Sequence, residues 1–376
     1  MTIAISHLFL QHYWWIIVSL LAGLLVLLMF VQGGQSLIFS LPGSDLQKTM
    51  IVNAVGRKWE FTFTTLVTFG GAFFASFPLF YATSFGGAYW VWIAILFSFI
   101  IQAVAYEFRS KPDNVFGKRT FDIFLFINGS VGPFLIGVAV ATFFTGSQFS
   151  LNMMKQVHWN NSWYGLEALL NVRNLALGLA VLFLSRINGL LYIMNCISDK
   201  DLVVRSVKKL LLNAVPFLFF FLFFVISLLF SSGFAADPST GTITIEKYKY
   251  LHNFVEMPVA SILFLLGTVG VLYGIGISLF SGSLGGIWFS GSGTVLAVFS
   301  LFIVAGFNGT SFYPSSIDLQ SSLTISNASS SLFTLKTMMN VSFIIPFVLA
   351  YIWYAWKAIN NEKITPEEMN SEEHKY

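Results

Sequence analysis

The sequence predicts an all-α integral membrane protein with about nine transmembrane helices. Of its 376 residues, 56% are hydrophobic and only 10% are charged, and the mean hydropathy is +0.76. A soluble globular protein of this length would not tolerate so little charge, whereas a transmembrane helix needs about 20 mostly apolar residues. Lysine and arginine also concentrate in alternate loops, as in multi-pass proteins. We therefore predict one polytopic membrane domain over residues 1–356 and a polar cytoplasmic tail over residues 357–376.

Nine apolar runs of roughly membrane-spanning length follow one another along the chain. The eighth run is the shortest and lies among glycines and serines, so it can extend back to Ile287. An odd number of spans places the two termini on opposite sides of the membrane. The runs are Tyr13 to Ile38, Phe61 to Thr83, Ala88 to Phe108, Phe121 to Gly146, Leu166 to Ile197, Leu210 to Phe230, Met257 to Phe280, Thr294 to Phe307, and Thr337 to Trp356.

The basic residues predict which side each loop faces, because cytoplasmic loops carry an excess of lysine and arginine. With the N-terminus outside, fourteen of the 20 basic residues fall in inside segments, four fall in outside segments, and two lie within the fifth run. This bias predicts that the N-terminus lies outside and the C-terminus inside. One long outside segment contains GTITIEKYKYL, residues 241–251, which predicts a short hairpin or an interfacial segment.

The stretch from Gly56 to Thr83 joins a basic turn, an acidic residue and a membrane helix with a stripe of small residues. Gly71 and Ala75 are four residues apart, so an α-helix stacks them on a face where a neighbouring backbone can come close. Pro78 removes a backbone donor near the helix end, and the freed carbonyl needs another partner. We therefore expect this helix to pack against protein, with Glu60 at its inner margin.

Side chains that carry redox, metal or nucleotide chemistry are sparse. All five histidines fall in termini or predicted outside loops, so no predicted helix centre carries a haem-ligating imidazole. Metal-site spacings and phosphate-binding motifs do not occur, and the single cysteine, Cys196, excludes an internal disulfide. The small net charge of +3 is distributed by loop, so it indicates topology rather than nucleic-acid binding. We expect no catalytic residue, metal site or bound cofactor in this chain.

Two charged residues are candidates for a functional role. Arg186 lies about ten residues from the inner end of its helix, hence about 15 Å deep, which is too deep for easy snorkelling. It should face a protein interior or a polar cavity, or bond backbone carbonyls or a lipid oxygen at a subunit interface. Glu60, next to Trp59, is either an exposed acid at a helix N-terminus, where the helix dipole favours negative charge, or an entry point for protons.

Four separated segments, in order and across nearly the whole chain, carry a family likeness. They include the helix TFGGAFFASFPLFYAT and the loop YEFRSKPDNVFGKRTFD, whose Phe-Arg-x-Lys motif contains Arg109 and Lys111. The chain resembles subunit II of the cytochrome bd-type quinol oxidases at these places. The segments are residues 68–83, 106–122, 128–139 and 312–339, the last of them followed by a helix with Pro346.

The resemblance implies a nine-helix subunit, arranged as two four-helix bundles and a peripheral helix, that pairs with a related subunit I. It implies that subunit I carries haem b558, haem b595, haem d and the quinol site, that subunit II binds no haem, and that a quinone or a small accessory subunit can be present. The complex would oxidise quinol and reduce dioxygen to water with cytoplasmic protons in a bacterial cytoplasmic membrane. Arg109, Lys111 and Arg186 become candidates for contacts with subunit I, quinone or lipid.

Position by position, the family's Trp-Asp pair falls on Trp59-Glu60, so the resemblance implies a proton-collecting carboxylate at Glu60. Two acids of the family's first helix fall on Gln32 and Gln35, and a histidine of its fifth helix falls on Asn188. Glutamine orients water but does not titrate near neutral pH. These departures weaken a proton route through this subunit.

Three functions therefore compete. The first is a haem-free subunit II with a proton route that starts at Glu60. The second is a purely structural partner of subunit I, motivated by the missing acids. The third is a secondary transporter, motivated by glycine and proline breaks such as Gly129 to Pro133, although paired intramembrane acids are lacking.

Overall fold

The computed structural model describes residues 6–359 and 363–366, and helices make up most of it. The helices are α1 (His7–Leu28), α2 (Phe30–Gln35), α3 (Asp45–Gly56), α4 (Trp59–Ser76), α5 (Pro78–Phe80), α6 (Tyr89–Phe108), α7 (Lys118–Thr145), α8 (Val172–Cys196), α9 (Lys200–Leu229), α10 (Lys249–Glu256), α11 (Pro258–Phe280), α12 (Gly286–Gly306), α13 (Ile325–Ala328), α14 (Leu332–Ser342) and α15 (Ile345–Ile359). A π-helix covers Tyr81–Gly87, and 3-10 turns cover Leu166–Leu170 and Leu319–Ser321. The antiparallel strands are β1 (Phe149–Leu151) with β2 (Val157–Trp159) and β3 (Gly233–Ala236) with β4 (Ile243–Glu246).

Eight helices of the described chain are long and apolar enough to cross a membrane, if α1 with α2 and α14 with α15 each count as one span. A ninth span results if Asp45–Ser76 and Pro78–Gly87, which meet at an angle of 116°, cross as one unit. The prediction of an all-α membrane protein with about nine spans is therefore confirmed. The division into two four-helix bundles and a peripheral helix stays a prediction.

The bend in the second span lies at Pro78. Phe77 leaves the helical conformation, with φ −132° and ψ 64°, because a proline disfavours the α region for the residue before it. Pro78 also has no N–H to continue the ladder of the preceding turn. At the same break, the carbonyl of Ser76 accepts a hydrogen bond from the backbone N–H of Ser330 at 2.8 Å.

Several helix starts differ from the predicted apolar runs, and the starts of α9 and α8 show why. Helix α9 begins ten residues before Leu210, at Lys200, and the Asp199 side chain caps it by accepting from a backbone N–H of the first turn. Helix α8 begins at Val172, after the 3-10 turn, with Asn171 as its cap. Hydropathy missed both boundaries because the capping residue, and not the apolar run, sets where a helix begins. Helix α9 extends beyond its apolar run, whereas α8 begins inside its own.

The bundle has two polar ends. At the basic end, which holds the turns after α2, α6 and α8 and the segment between α11 and α12, Lys48 approaches Asp122 at 3.8 Å. At the opposite hairpin end, β-bridges join the two hairpins to the segment after α12, at Ser147 with Ser315 and at Ala235 with Thr310. Of the segment predicted as a short hairpin or an interfacial segment, residues 241–251, only β4 is a strand; its partner β3 lies before the segment, and the last residues begin α10.

Glycines let α2 and α8 come into backbone contact. A Cβ added to Gly33 would lie 1.8 Å from the carbonyl oxygen of Ser185, and one added to Gly189 would lie 2.5 Å from the amide nitrogen of Gly34. No side chain fits at such distances, so these positions require glycine. The contact fixes α2, a helix of six residues, in the interior of the bundle.

Part of the predicted polar tail is described, at residues 363–366. Ile364 donates its N–H to the carbonyl of Cys196 at 2.9 Å, accepts from Ser198 at 2.9 Å, and is buried. This short segment is therefore held at the basic end by backbone pairing. The rest of the tail beyond Ile359 lies outside the described residues.

Candidate functional site

The site predicted at Trp59 and Glu60 lies at the start of α4, at the basic end. Glu60 is exposed in the first turn of the helix, and its carboxylate makes no hydrogen bond or ion pair with any described residue. Trp59 is half-buried and stacks on Tyr106, with ring centroids 5.9 Å apart and an interplanar angle of 19°. Glu60 therefore lies at the surface, and the neighbouring Trp59 contacts Tyr106 of α6.

One face of α6 is polar over its inner half. Ser98, Gln102, Tyr106 and Arg109 follow at spacings of four, four and three residues, which places them in a row along the helix and its cap. All four side chains are buried. At 1.5 Å per residue this row reaches about 16 Å from the basic end into the membrane region.

The row contacts amide side chains from α2 and α7. Gln35 donates to the hydroxyl of Tyr106 at 2.9 Å, and Gln32 donates to the side-chain oxygens of Gln102 at 3.2 Å and Asn128 at 3.3 Å. We call Gln32, Gln35, Gln102 and Asn128 the amide cluster. All four are fully buried, at 0% exposure, so the cluster is a polar core inside an apolar bundle.

The amide cluster is incompletely paired. Gln32 Oε1, Gln35 Oε1 and Gln102 Nε2 are buried and have no hydrogen-bond partner within the part of the chain that the structure describes. Unpaired buried polar atoms cost roughly 1–3 kcal/mol each, and ordered water is the usual remedy where two to four polar groups surround a space. Two acceptors and one donor match the bonding capacity of water.

Charged residues close the cluster at the basic end. Arg109 donates to Asp122 at 2.7 Å, with both side chains buried, and Lys48 approaches the same carboxylate. Arg109 is therefore engaged inside the chain rather than displayed on its surface. Lys111 is half-exposed and pairs with Glu107 at 3.0 Å, so of these two candidates only Lys111 is accessible to a lipid or subunit.

Lys58, which the sequence places in an inside loop, is fully buried. Its ammonium lies 4.5 Å from the centre of the Trp356 ring and 5.8 Å from that of Phe61, and it has no hydrogen-bond partner among the described residues. Contact with aromatic faces stabilises such a cation. Lys58 thereby ties the start of α4 to α15.

Asn188 sits in a second polar contact, between α8 and α12. It donates to Thr294 at 3.2 Å and accepts from Ser290 at 2.6 Å, and all three residues are buried. Neither polar group of the Asn188 side chain is left without a partner. This contact is a hydrogen-bonded helix junction, and it holds no titratable group.

Arg186 lies apart from both polar contacts. Its guanidinium carbon is 6.0 Å from the ring centre of Phe183, and its Nε is buried without a hydrogen-bond partner in the described chain. The prediction that it lies at membrane depth agrees with its place in the middle of α8. What the residue contacts beyond this chain stays a prediction.

A polar cavity of about 350 Å³ opens at the hairpin end, lined by residues that include Glu167, Asn174 and Tyr313. Burial raises the pKa of Glu167 above its ordinary value, although backbone hydrogen bonds, one of them from Gly165 at 2.8 Å, act in the opposite direction. The described residues contain no group of three or more histidine, cysteine or acidic side chains that could hold a metal ion.

Comparison with known proteins identifies the family. Residues 10–359 match the model of the family described as cytochrome bd terminal oxidase subunit II. The chain belongs to this family. The membership confirms the resemblance inferred from four short segments, and it leaves the secondary-transporter alternative without support.

Individual relatives agree over most of their length. The chain is 27% identical to cytochrome bd-I ubiquinol oxidase subunit 2 of Escherichia coli, covering 97% of this chain and 98% of that one. It is 28% identical to cytochrome bd ubiquinol oxidase subunit 2 of Bacillus subtilis, covering 82% and 84%. The solved bd oxidase of Geobacillus thermodenitrificans shares the fold, with a TM-score of 0.59 at 12% identity, over 96% of this chain and 97% of that one.

This membership indicates a multi-pass protein of the bacterial cytoplasmic membrane that works as one subunit of an oxidoreductase complex. It implies a partner subunit I. Sequence reasoning missed Gln102 and Asn128 and the full burial of Lys58. The row of polar residues at helical spacing within the third apolar run was the available signal for Gln102, whereas nothing local marks the contact with Asn128.

Proposed function

We propose that this chain is the haem-free subunit II of a quinol oxidase that oxidises membrane quinol and reduces dioxygen to water with cytoplasmic protons. In this proposal the basic end faces the cytoplasm, the N-terminus lies outside, and subunit I carries the haems and the quinol site. Family membership supports the complex. The excess of lysine and arginine in the segments at the basic end supports the orientation.

A proton route that starts at Glu60 is the role that we assign to this chain's own residues. The observations that carry it are the position of Glu60 next to Trp59 in the chain, the stacking of Trp59 on Tyr106, and the hydrogen bond that joins Tyr106 to Gln35 of the amide cluster. Protons move along water and polar side chains that hydrogen-bond to one another, and the unpaired oxygens of Gln32 and Gln35 are acceptors for such water. The Trp59 ring orients Tyr106 and does not itself carry protons.

The exposed face of α4 is where we propose that subunit I packs. Thr64, Thr68 and Gly71 follow at helical spacing and are exposed, and no described atom lies within 4 Å of a Cβ added to Gly71. Small and hydroxyl side chains on a membrane helix suit close contact with another helix. The neighbour expected for the small-residue stripe is thus assigned to subunit I, which this face would help to stabilise.

This face of α4 forms one wall of an apolar groove of about 710 Å³ between α1, α4, α14 and α15. Leu21, Thr68 and Trp356 are among the residues that line it. Its apolar walls suit the tail of a quinone or a lipid, the ligands that the family resemblance allows in subunit II.

Replacement of Glu60 by glutamine in the assembled oxidase tests the proton route. We expect oxygen consumption to fall several-fold while the yield of the complex and its reduced-minus-oxidised haem spectrum stay the same, because the substitution keeps size and removes titration. Glu107→Gln is the matched control, since Glu107 is an exposed acid at the same end. It should leave turnover unchanged.

A purely structural subunit is the second candidate function. It is favoured by the amide cluster, which contains no carboxylate, so that no member of the cluster titrates near neutral pH. Under this alternative Glu60→Gln leaves turnover intact and protons enter through subunit I. Absence of bd-type haem bands from the wild-type complex would instead remove the oxidase function itself.

A further inference from the structure

The polar cavity at the hairpin end lies apart from the amide cluster and from the apolar groove. Its walls are the end of α7, the starts of α6 and α8, the π-helix and the hairpin of β1 and β2. Its volume of about 350 Å³ lies within the range of roughly 300–1,000 Å³ that small-molecule pockets occupy, whereas one water needs about 10–15 Å³. The cavity is therefore large enough for a small organic ligand.

A turn that requires glycine places one acid in the wall of this cavity. Gly165 has a φ of +98°, and a Cβ added to it would lie 2.6 Å from that of Ala88. Only glycine fits at this distance, so the 3-10 turn Leu166–Leu170 can lie against the residue before α6. The turn holds Glu167 half-buried in the wall, where its carboxylate accepts from the backbone N–H of Gly165 at 2.8 Å.

Glu167 carries the only charge on the cavity wall among the described residues. No described lysine, arginine or histidine lines the cavity, and Glu167 makes no ion pair within the part of the chain that the structure describes. Burial disfavours the ionised carboxylate and raises the pKa of Glu167. A cation in the cavity would stabilise this carboxylate, whereas an acidic group on a ligand would be repelled by it.

Hydroxyl groups on the wall use their protons within the chain. Thr142 donates to the carbonyl of Ala139 at 2.6 Å, and Thr145 donates to the side-chain oxygen of Asn174 at 2.8 Å. A hydroxyl has one donor and two acceptor lone pairs. Towards a ligand, these two oxygens therefore act as acceptors.

The buried N–H donors of the wall are engaged as well. The indole N–H of Trp92 donates to the hydroxyl of Ser84, and that of Trp159 donates to the carbonyl of Thr83, both at 3.2 Å. The amide of Asn174 donates to a backbone carbonyl at 3.0 Å. Free side-chain donors remain on exposed residues of the wall, so a ligand that enters deeply meets mainly hydrogen-bond acceptors.

We propose that this cavity binds a small organic ammonium ion, a primary monoamine with a short apolar body, whose charged nitrogen donates to Glu167. The three N–H groups of a primary ammonium match the acceptors of the wall. Val91, Trp92 and Trp159 give the rest of the ligand an apolar surface. One acid without a basic partner selects a single positive charge, because a second ammonium or an acidic group would lack its counter-charge. The site is independent of the proposed oxidase reaction and of the proton route.

The test is calorimetric titration of phenethylamine into the purified oxidase in nanodiscs of phosphatidylcholine, a lipid without a primary amine. We expect saturable binding to a single class of site, and a melting temperature that rises with amine concentration because the ligand binds the folded state. Two matched compounds should bind at least about tenfold more weakly. They are 2-phenylethanol, which replaces the ammonium by a hydroxyl, and 3-phenylpropanoate, which carries the opposite charge.

Three variants locate the binding site. Glu167→Gln keeps the size of the side chain and removes its charge, so it should weaken phenethylamine binding by about tenfold or more. Asp237→Asn is the matched control, because Asp237 is an exposed acid at the same end that does not line the cavity, and it should leave the affinity unchanged. Ala139→Leu covers the case in which Glu167→Gln fails to assemble. It fills part of the cavity without a change in charge, and it should also abolish binding.

A lipid headgroup is another source of the same ammonium chemistry. Titration in nanodiscs of phosphatidylethanolamine separates the two sources, because this lipid carries a primary amine. A weaker apparent affinity for phenethylamine there would identify the headgroup as the occupant of the cavity, and an unchanged affinity would identify a soluble amine.

Three results would overturn the proposal. They are no saturable binding of phenethylamine to the wild type, equal affinities of the wild type and Glu167→Gln, and binding of 2-phenylethanol as tight as that of the amine. The haem spectrum of the same samples tests the oxidase function separately.

Discussion

The amide cluster and the contact of Asn188 are two buried polar contacts that differ in how completely their side chains are paired. Gln32 and Gln35 of the amide cluster, and Asn188, fall at positions where the family resemblance implies titratable residues. The amide cluster between α2, α6 and α7 leaves three polar atoms without a partner in the described chain, whereas Asn188 is satisfied by Ser290 and Thr294. Buried amides therefore form a site with unpaired polar atoms in one place and a fully paired helix junction in the other.

Helix geometry explains the difference. Asn188 lies between two long, regular helices whose side chains meet directly across the contact. Gln32 and Gln35 lie on α2, a helix of six residues that ends at Gln35, so the groups that they face come from two other helices at different heights. The side chains of so short a helix do not reach all of these groups, so Gln32 Oε1 and Gln35 Oε1 stay without a hydrogen-bond partner in the described chain.

The backbone contact between α2 and α8 separates the two polar contacts, and Gly33→Ala should break it. The added methyl would collide with the Ser185 carbonyl at 1.8 Å, so α2 must move away from α8. We expect a loss of about 3 kcal/mol or more, seen as loss of assembled oxidase from the membrane. Gly276→Ala on α11, where a Cβ would meet nothing within 4 Å among the described residues, should assemble normally. Equal yields would mean that α2 is not held by this contact.

Asn188→Leu probes the sealed junction and should have the next largest effect. The substitution leaves the Ser290 hydroxyl without its acceptor at the interface of α8 and α12. We expect the free energy of unfolding to fall by about 1–2 kcal/mol. The measurement is the melting temperature of the purified complex, with turnover per intact complex unchanged. A fall in turnover without a fall in melting temperature would contradict a purely structural role.

Gln102→Leu probes the open cluster and should show the opposite pattern. Its Nε2 has no described partner to lose, and Gln32 keeps its bond to Asn128, so we expect the free energy of unfolding to change by less than about 1 kcal/mol. Oxygen consumption per haem should fall, because the apolar side chain removes a ligand of the proposed water. If both Gln102→Leu and Asn188→Leu lowered the melting temperature and kept turnover, the predicted difference between the two polar contacts would be wrong.

The sequence predicted class and family correctly, and it was less successful with boundaries and contacts. Apolar runs located the spans because a lipid environment requires them, and the short matches around Arg109 and Pro78 sufficed for the family. Hydropathy did not predict that α9 begins at Lys200, because the first turns of this helix are polar and do not belong to the apolar run that marks the span. It also gave no sign that Arg109 is buried against Asp122 rather than displayed.

By itself the sequence determined what the membrane demands: long apolar helices, the placement of charge in alternate loops, and an acid beside Trp59. Only the tertiary structure decided which of the buried amides remain unpaired, and it left Arg186 half-buried without an acceptor in the described chain. The reason is that burial in lipid acts on each segment separately and can be read from local composition. Hydrogen-bond pairing depends on which helices meet, and at what height, and no single segment contains that information.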